Sequence, residues 1–196
     1  VAPRGDGAPL RGRIVTRPAR AARGAEQTHP SRESREARVE KLIEGGFGLA
    51  HEHGRPVLLP LAAPGDRVLY DVEREARGRI EGEIVRVLEP SPDRVPAPCP
   101  VYGACGGCQI QHLSYPAQLA AKTEVAREAL SRLGGITLAS PIAITPSPLE
   151  FGYRHRGTFH IRWEANQPVV GFFRRRSHAV VAFDRCPLLN SAANAA

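Results

Sequence analysis

A chain of 196 residues and 21.2 kDa has room for one or two modest domains. It contains no apolar run of the roughly 18 residues needed to span a membrane, and residues 1–30 hold nothing like a signal peptide, which argues against secretion and against disulfides. The formal charge of +7 is unevenly placed: residues 1–35 carry eight Arg against three acidic groups, residues 36–150 twelve Lys or Arg against fifteen, and residues 151–196 seven Arg against two. Two basic ends around an acidic middle suit contact with a polyanion better than a uniform basic bias does.

Residues 1–35 are rich in Arg, Ala, Gly and Pro without apolar periodicity and are expected to form a disordered basic tail. Such a tail is either an unselected leader or an arm that adds RNA affinity without reading sequence. Methionine is absent even at position 1, so the chain is expected to have a non-standard start or to be a piece of something longer.

Short β-like runs fill residues 36–90. Ala37, Val39, Lys41 and Ile43 alternate with Arg38, Glu40 and Leu42, which predicts one strand broken at Gly45-Gly46 and resumed by Phe47 to Ala50. His51 to Gly54 is expected to turn, Pro56 to Leu61 to form a strand, and Pro64-Gly65-Asp66 to turn again. Strands over Arg67 to Glu75 and Arg79 to Leu88 complete a small closed β-barrel. Its only aromatics, Phe47 and Tyr70, make a weak stacking surface for RNA. His51 and His53 read as solvated turn residues. The proline-rich stretch from Glu89 to Pro98 predicts a stiff linker over residues 91–98.

Three thiols follow within ten residues, Cys99, Cys105 and Cys108, spaced C-x5-C-x2-C, and the fourth and last cysteine is Cys186. Gly103, Gly106 and Gly107 let the backbone fold tightly enough to bring sulfurs together. A cysteine-dense run with a remote Cys-Pro suits an iron–sulfur cluster, whereas structural zinc favours paired C-x2-C knuckles, of which only one is present. On spacing alone both remain open.

A helix should start at Ser114 as cap, take Pro116 into its first turn and stop at Gly134-Gly135. Leu119, Ala126, Ala129, Leu130 and Leu133 form its predicted packing stripe beside the cysteine loop. Gln111 and His112, just before it, are expected to give polar support to the site. Strand periodicity over Phe151 to Trp163 puts Tyr153, His155, Phe159, Ile161 and Trp163 on an inward face, with Arg154, Arg156, Thr158, His160 and Arg162 opposite. A return strand over Val169 to Phe173 and the run Arg174-Arg175-Arg176 lead on to Cys186. Guanidinium groups on such a ridge suit phosphates, so Arg154, Arg156, Arg162, Arg174, Arg175 and Arg176 are the candidate RNA contacts. The whole is mainly β with α, an α+β protein. It comprises an OB-like barrel over 36–90, then a domain of one helix and antiparallel hairpins over 99–196.

The segment CPVYGACGGCQIQHLSYPAQ, from Cys99 to Gln118, resembles the cluster segment of the S-adenosylmethionine-dependent RNA (uracil-5-)-methyltransferases. VEKLIEGGFGLAHEHGRPVLLPLAAPGDRV resembles that family's TRAM domain, an OB-like RNA-binding barrel. YRHRGTFHIRW and VVGFFRRRSHAVVAFDRCP resemble its central domain. The resemblance covers residues 36–190. It implies that Cys99, Cys105, Cys108 and Cys186, which match the family pattern one for one, hold a [4Fe-4S] cluster. It further implies a monomeric cytoplasmic protein that contacts ribosomal or transfer RNA and no membrane.

In the family, a cysteine thiolate adds to uracil C6 and C5 then takes the methyl group from S-adenosyl-L-methionine, after which a carboxylate removes the C5 proton. The covalent step is needed because C5 is otherwise a poor nucleophile. No glycine-rich loop of a βαβ unit occurs here, and the resemblance commits every cysteine to the cluster. The expectation is therefore an RNA-recognition half that lacks the Rossmann-like domain for S-adenosylmethionine and is inactive alone. A free-standing cluster- or zinc-bearing RNA-binding protein is the alternative.

Overall fold

The structure, a computed structural model, describes residues 34–195; the predicted basic tail lies almost wholly in residues 1–33, outside the described residues. Six strands make the larger sheet: β1 (Arg35–Arg38), β2 (Lys41–Ile43), β3 (Phe47–Glu52), β4 (Arg55–Pro60), β5 (Arg67–Ala76) and β6 (Arg79–Glu89). Their order is β1-β5-β6-β4-β3-β2, so β1 and β2 lie at opposite edges although only Val39 and Glu40 separate them in sequence. One continuous segment thus pairs with both edges and curls the sheet into a barrel. Val39 donates its N–H to the Asp66 carbonyl at 2.8 Å, and Glu40 donates to the Leu49 carbonyl at 2.8 Å.

Neighbouring strands are antiparallel except β4 and β6, which run parallel over Val57↔Ile80 and Leu58↔Glu81. Register shifts along β5 and β6 between Arg67 and Val68, Leu69 and Tyr70, and Val72 and Arg74 add the local twist that curling requires. Alternation places Val57 and Leu59, Val68 and Tyr70, and Ile80 in the barrel core with Ala37, Val39 and Ala50.

The crossing at Val39–Glu40 corrects the expected single strand over 37–43. The inward phase slips there, so Leu42 is buried rather than Lys41 or Ile43, and it faces a second apolar cluster with Ala63 and Leu113. β3 runs on to Glu52, so the turn is tighter than expected and centres on His53-Gly54. Tyr70 is fully buried and so offers no surface for stacking.

Beyond the barrel come α1 (Tyr115–Arg132), a three-stranded antiparallel sheet of β7 (His160–Glu164), β8 (Gln167–Phe173) and β9 (Val180–Ala182), and the short α2 (Ser191–Ala195). Ser114 is the N-cap residue of α1 and Pro116 lies in its first turn, but the Ser114 side chain makes no capping bond. Backbone bonds close the far end, with Ile136 donating to the Leu130 carbonyl at 3.0 Å and Gly135 at φ 63°.

The packing stripe of α1 differs from the expectation. Ala126, Ala129, Leu130 and Leu133 are exposed, Leu133 at 85%, while Ala117 and Ala121 pack against the Leu42 cluster of the barrel. An ion pair of Lys41 with Glu128 supports the same docking. The barrel, through β2, chose the helix face.

The predicted strand over Phe151 to Trp163 is real only from His160 onward. Residues 151–159 follow an irregular path instead, because Gly152 and Arg154 donate to the carbonyls of Pro187 and Leu188, both at 2.9 Å. The expected inward face is also open to solvent, with Tyr153 at 42%, Ile161 at 60% and Trp163 at 73% exposed. No described element covers that end of the sheet. No described helix is long and apolar enough to cross a membrane.

Candidate functional site

The cysteine loop is built by its glycines and by the sheet edge it meets. Gly103 takes φ 84°, a left-handed turn that a side chain would strain. Gly106 is needed for a different reason. A Cβ there would lie 3.0 Å from the Phe173 carbonyl oxygen and 3.2 Å from the Arg175 nitrogen. Gly106 donates to that same Phe173 carbonyl at 2.9 Å, Arg175 donates to the Ala104 carbonyl at 3.4 Å, and Cys105 bridges Arg174. The loop is thereby laid against the end of β8.

Cys186 reaches the same place from the other side of the fold. The strip Pro187 to Leu189 pairs in parallel with residues 152–154, burying Leu188 and Leu189. Asn194 in α2 then fixes the cysteine backbone directly. Its Oδ1 accepts from the Cys186 N–H at 2.9 Å, and its Nδ2 donates to the carbonyls of Cys186 at 3.1 Å and Leu189 at 2.9 Å. No pattern in the sequence marked Asn194, because its role depends on the chain folding back eight residues.

As a result Cys99, Cys105, Cys108 and Cys186 all line one cavity, together with Tyr102, Gln111, Phe172, Phe183 and the arginines Arg154, Arg156 and Arg185. All four are free thiols and partly buried. Among the described residues no three His, Cys, Asp or Glu side chains are grouped so as to hold a single metal ion; the sulfurs ring a cavity instead. Burial pushes the Cys99 and Cys108 thiols up, with the Gln111 side chain pulling Cys108 the other way. Phe172 stands between Phe159 and Phe183, with ring centroids 5.1 Å and 5.0 Å away, and this gives the cavity an apolar wall.

Below the loop, Tyr102 donates to the Gln109 carbonyl at 2.7 Å and meets His112 Nδ1 at 2.5 Å. Burial raises the Tyr102 hydroxyl to about 12 and lowers the His112 imidazole. Both are therefore neutral structural groups at physiological pH.

A second, open cleft shares the wall formed by Gly107, Arg154, Arg156, Gly157 and Phe172. It is lined by Arg154, Arg156, Arg174, Arg175 and Arg176 with Thr158 and His160, the His160 ring stacked on Phe173 at 3.6 Å. The six arginines singled out by sequence are thus divided. Arg154, Arg156 and Arg174 face the cleft exposed. Arg175 is tied to Glu83 at 2.9 Å, and Arg176 reaches Glu73 and Glu81 while lying 5.5 Å over the Phe47 ring. These two clamp the hairpin to the barrel. Arg162 sits out on β7 and does not line the cleft.

The junction between barrel and cysteine loop is likewise bonded. Asp66 is fully buried and accepts from Ala63 N–H at 2.7 Å, Ser91 N–H at 2.8 Å and the Arg94 guanidinium at 2.6 Å. Burial alone would raise the Asp66 carboxyl, but Arg94 and the two backbone donors hold it below the usual aspartate range. Val95 donates to the His112 carbonyl and Ser114 to the Asp93 carbonyl, both at 2.9 Å, so the predicted linker is pinned over its first half, from Ser91 to Val95.

No protein-family model matches the sequence. The chain is 38% identical over 155 residues to an uncharacterised RNA methyltransferase of Gloeobacter violaceus, covering 78% of this chain and 34% of that protein. It is 39% identical over 166 residues to the 23S rRNA (uracil(1939)-C(5))-methyltransferase RlmD of Halomonas elongata, covering 84% of this chain and 34% of the relative. Its fold resembles the crystal structure of the Pyrococcus abyssi tRNA (uracil-54, C5)-methyltransferase in complex with S-adenosyl-L-homocysteine. That match has a TM-score of 0.52 and 28% identity, over 81% of this chain and 34% of that one. The chain spans about a third of the length of the proteins it matches. Likeness in sequence and in fold agree, and the chain belongs, as a segment of that length, to the RNA (uracil-C5)-methyltransferase family.

Proposed function

We propose that these residues form the RNA-recognition segment of an RNA (uracil-C5)-methyltransferase, acting on ribosomal or transfer RNA. In this reading Cys99, Cys105, Cys108 and Cys186 hold a [4Fe-4S] cluster, and the adjoining cleft holds the RNA backbone. The observation that carries the reading is the wall that the cysteine cavity and the arginine cleft share. Thiols gathered round a cavity, with an apolar wall and nearby guanidinium groups, suit a compact cluster whose charge is negative. Arg154, Arg156 and Arg174, exposed on one side of that wall, suit phosphates. The segments 36–90 and 99–195 act as barrel and cluster-bearing units, joined by the pinned linker 91–98.

When bound, the cluster supplies a rigid cross-link between the loop and the distant Cys186. The protein's own residues do the rest: they exclude water with Phe172 and Phe183 and set the cleft arginines in place. All cysteines of the sequence lie in the cavity, so none remains for addition to uracil C6, and by itself this segment binds RNA without methylating it. S-adenosyl-L-methionine serves the complete enzyme rather than this segment. The protein acts as a cytoplasmic monomer.

Two measurements test the reading. Anaerobically purified protein should contain about four irons and four sulfides per chain, lost on Cys186→Ser; one zinc and no sulfide overturns the cluster. RNA binding should weaken with salt, and Arg154→Ala or Arg156→Ala should each lower the log–log salt slope by about one. Arg162→Ala should leave that slope unchanged. Wild-type binding by both cleft variants overturns the RNA assignment.

A further inference from the structure

Gln111 follows Cys108 by three residues and is only 8% exposed, yet among the described residues neither its Nε2 nor its Oε1 makes a well-formed hydrogen bond, and the group its side chain acts on is the Cys108 thiol. The adjacent glutamines differ. Gln109 is exposed and donates to the Gly106 carbonyl at 3.0 Å, and Gln118 donates to the Leu113 carbonyl at 3.0 Å. The backbone on either side of Gln111 is well packed. His112 beside it is buried and bound to Tyr102, Leu113 is 1% exposed, and the His112 carbonyl accepts from Val95. Its side chain lines the cavity of the four cysteines.

A buried amide without partners carries its full desolvation cost, and folded proteins rarely leave one so. The groups that meet it in that cavity are sulfurs, which accept hydrogen bonds, and a thiolate bound to iron is a better acceptor than a free thiol. We propose that, in the loaded protein, the Gln111 carboxamide donates its Nε2–H to the sulfur of Cys108, making Gln111 the positioning residue that secures this corner of the cluster and raises its reduction potential. The inference rests on the cluster reading above. Donation to a ligand sulfur draws electron density from it, which favours the reduced, more negative cluster. Loss of such an outer partner commonly weakens metal retention by about 10–100-fold.

A space-filling glutamine and a donor glutamine predict opposite signs in the empty and loaded protein. Gln111→Leu removes an unsatisfied polar group from the empty cavity, so the iron-free variant should melt at or above the wild-type temperature. The reconstituted variant should instead lose iron to a chelator about ten-fold faster and show a lower midpoint potential by electron paramagnetic resonance titration. Gln111→Glu keeps the shape but replaces the donor with an anionic acceptor, and it should lose iron faster still. The wild-type metal content is measured first. Zinc without sulfide sinks the cluster reading and this inference with it. A normal wild-type cluster whose iron release and potential are unchanged in both variants sinks the inference alone, as does a Leu variant destabilised equally in empty and loaded forms.

Discussion

Gly106 and Asn194 show how little of the cysteine loop is written in its thiols. Gly106 has no unusual φ; what it needs is the missing Cβ, which lets its N–H reach the Phe173 carbonyl at 2.9 Å. Gly106→Ala forces the neighbouring backbone to give by a few tenths of an ångström and should cost about 1–3 kcal/mol. Parallel thermal melts and iron assays should show lower stability together with lower iron content. The glycine-rich loop was legible in the sequence, but the partner that makes Gly106 necessary was not, since Phe173 is 67 residues away. Asn194 carries the same lesson for Cys186. A polar residue in an Ala-rich tail reads as solvated until the chain is seen to fold back on it.

Elements were legible where local pattern and burial agree. The alternation along β4, β5 and β6 is satisfied inside the barrel, so their positions and inward faces could be read directly. The same alternation misled over Phe151 to Trp163, because it says which residues can share a face but not whether anything covers that face. The linker also gained its character from outside itself, through Asp66. The folded Asp66 carboxyl titrates below its unfolded value, so its contribution to stability is complete above about pH 4 and is lost as pH falls through the folded value. Asp66→Ala removes one partner of a buried pair and should cost about 3–5 kcal/mol at pH 7. Urea unfolding at pH 7 and pH 3 should show the gap between variant and wild type narrowing in acid. A gap independent of pH would assign the loss to packing alone.

Across the whole molecule, the two open spaces are not independent. Arg154 and Arg156 border both the cysteine cavity and the basic cleft, and Arg175 and Arg176 anchor the intervening hairpin to the barrel through Glu83, Glu73 and Glu81. Emptying the cavity should therefore loosen the cleft. On the proposed cluster and RNA assignments, removing the cluster by oxidation and chelation should weaken RNA binding by about ten-fold, or about 1.4 kcal/mol, with the barrel's circular dichroism unchanged. RNA affinity that is the same before and after removal would show that the shared wall holds its shape without the cluster.

The sequence by itself determined the α+β class, the barrel strands β4 to β6, the helix limits near Ser114 and Gly134-Gly135, and the set of four cysteines. Each of these rests on spacing within one segment or on composition that cannot be met another way. Tertiary structure decided the closure of the barrel at Val39–Glu40 and the helix face that docks on the Leu42 cluster. It also separated the arginines that face the cleft from those that clamp the barrel, and it placed Gln111 on the wall of the cysteine cavity. Those outcomes depend on which distant surfaces compete for the same side chain, and local periodicity carries no information about that competition.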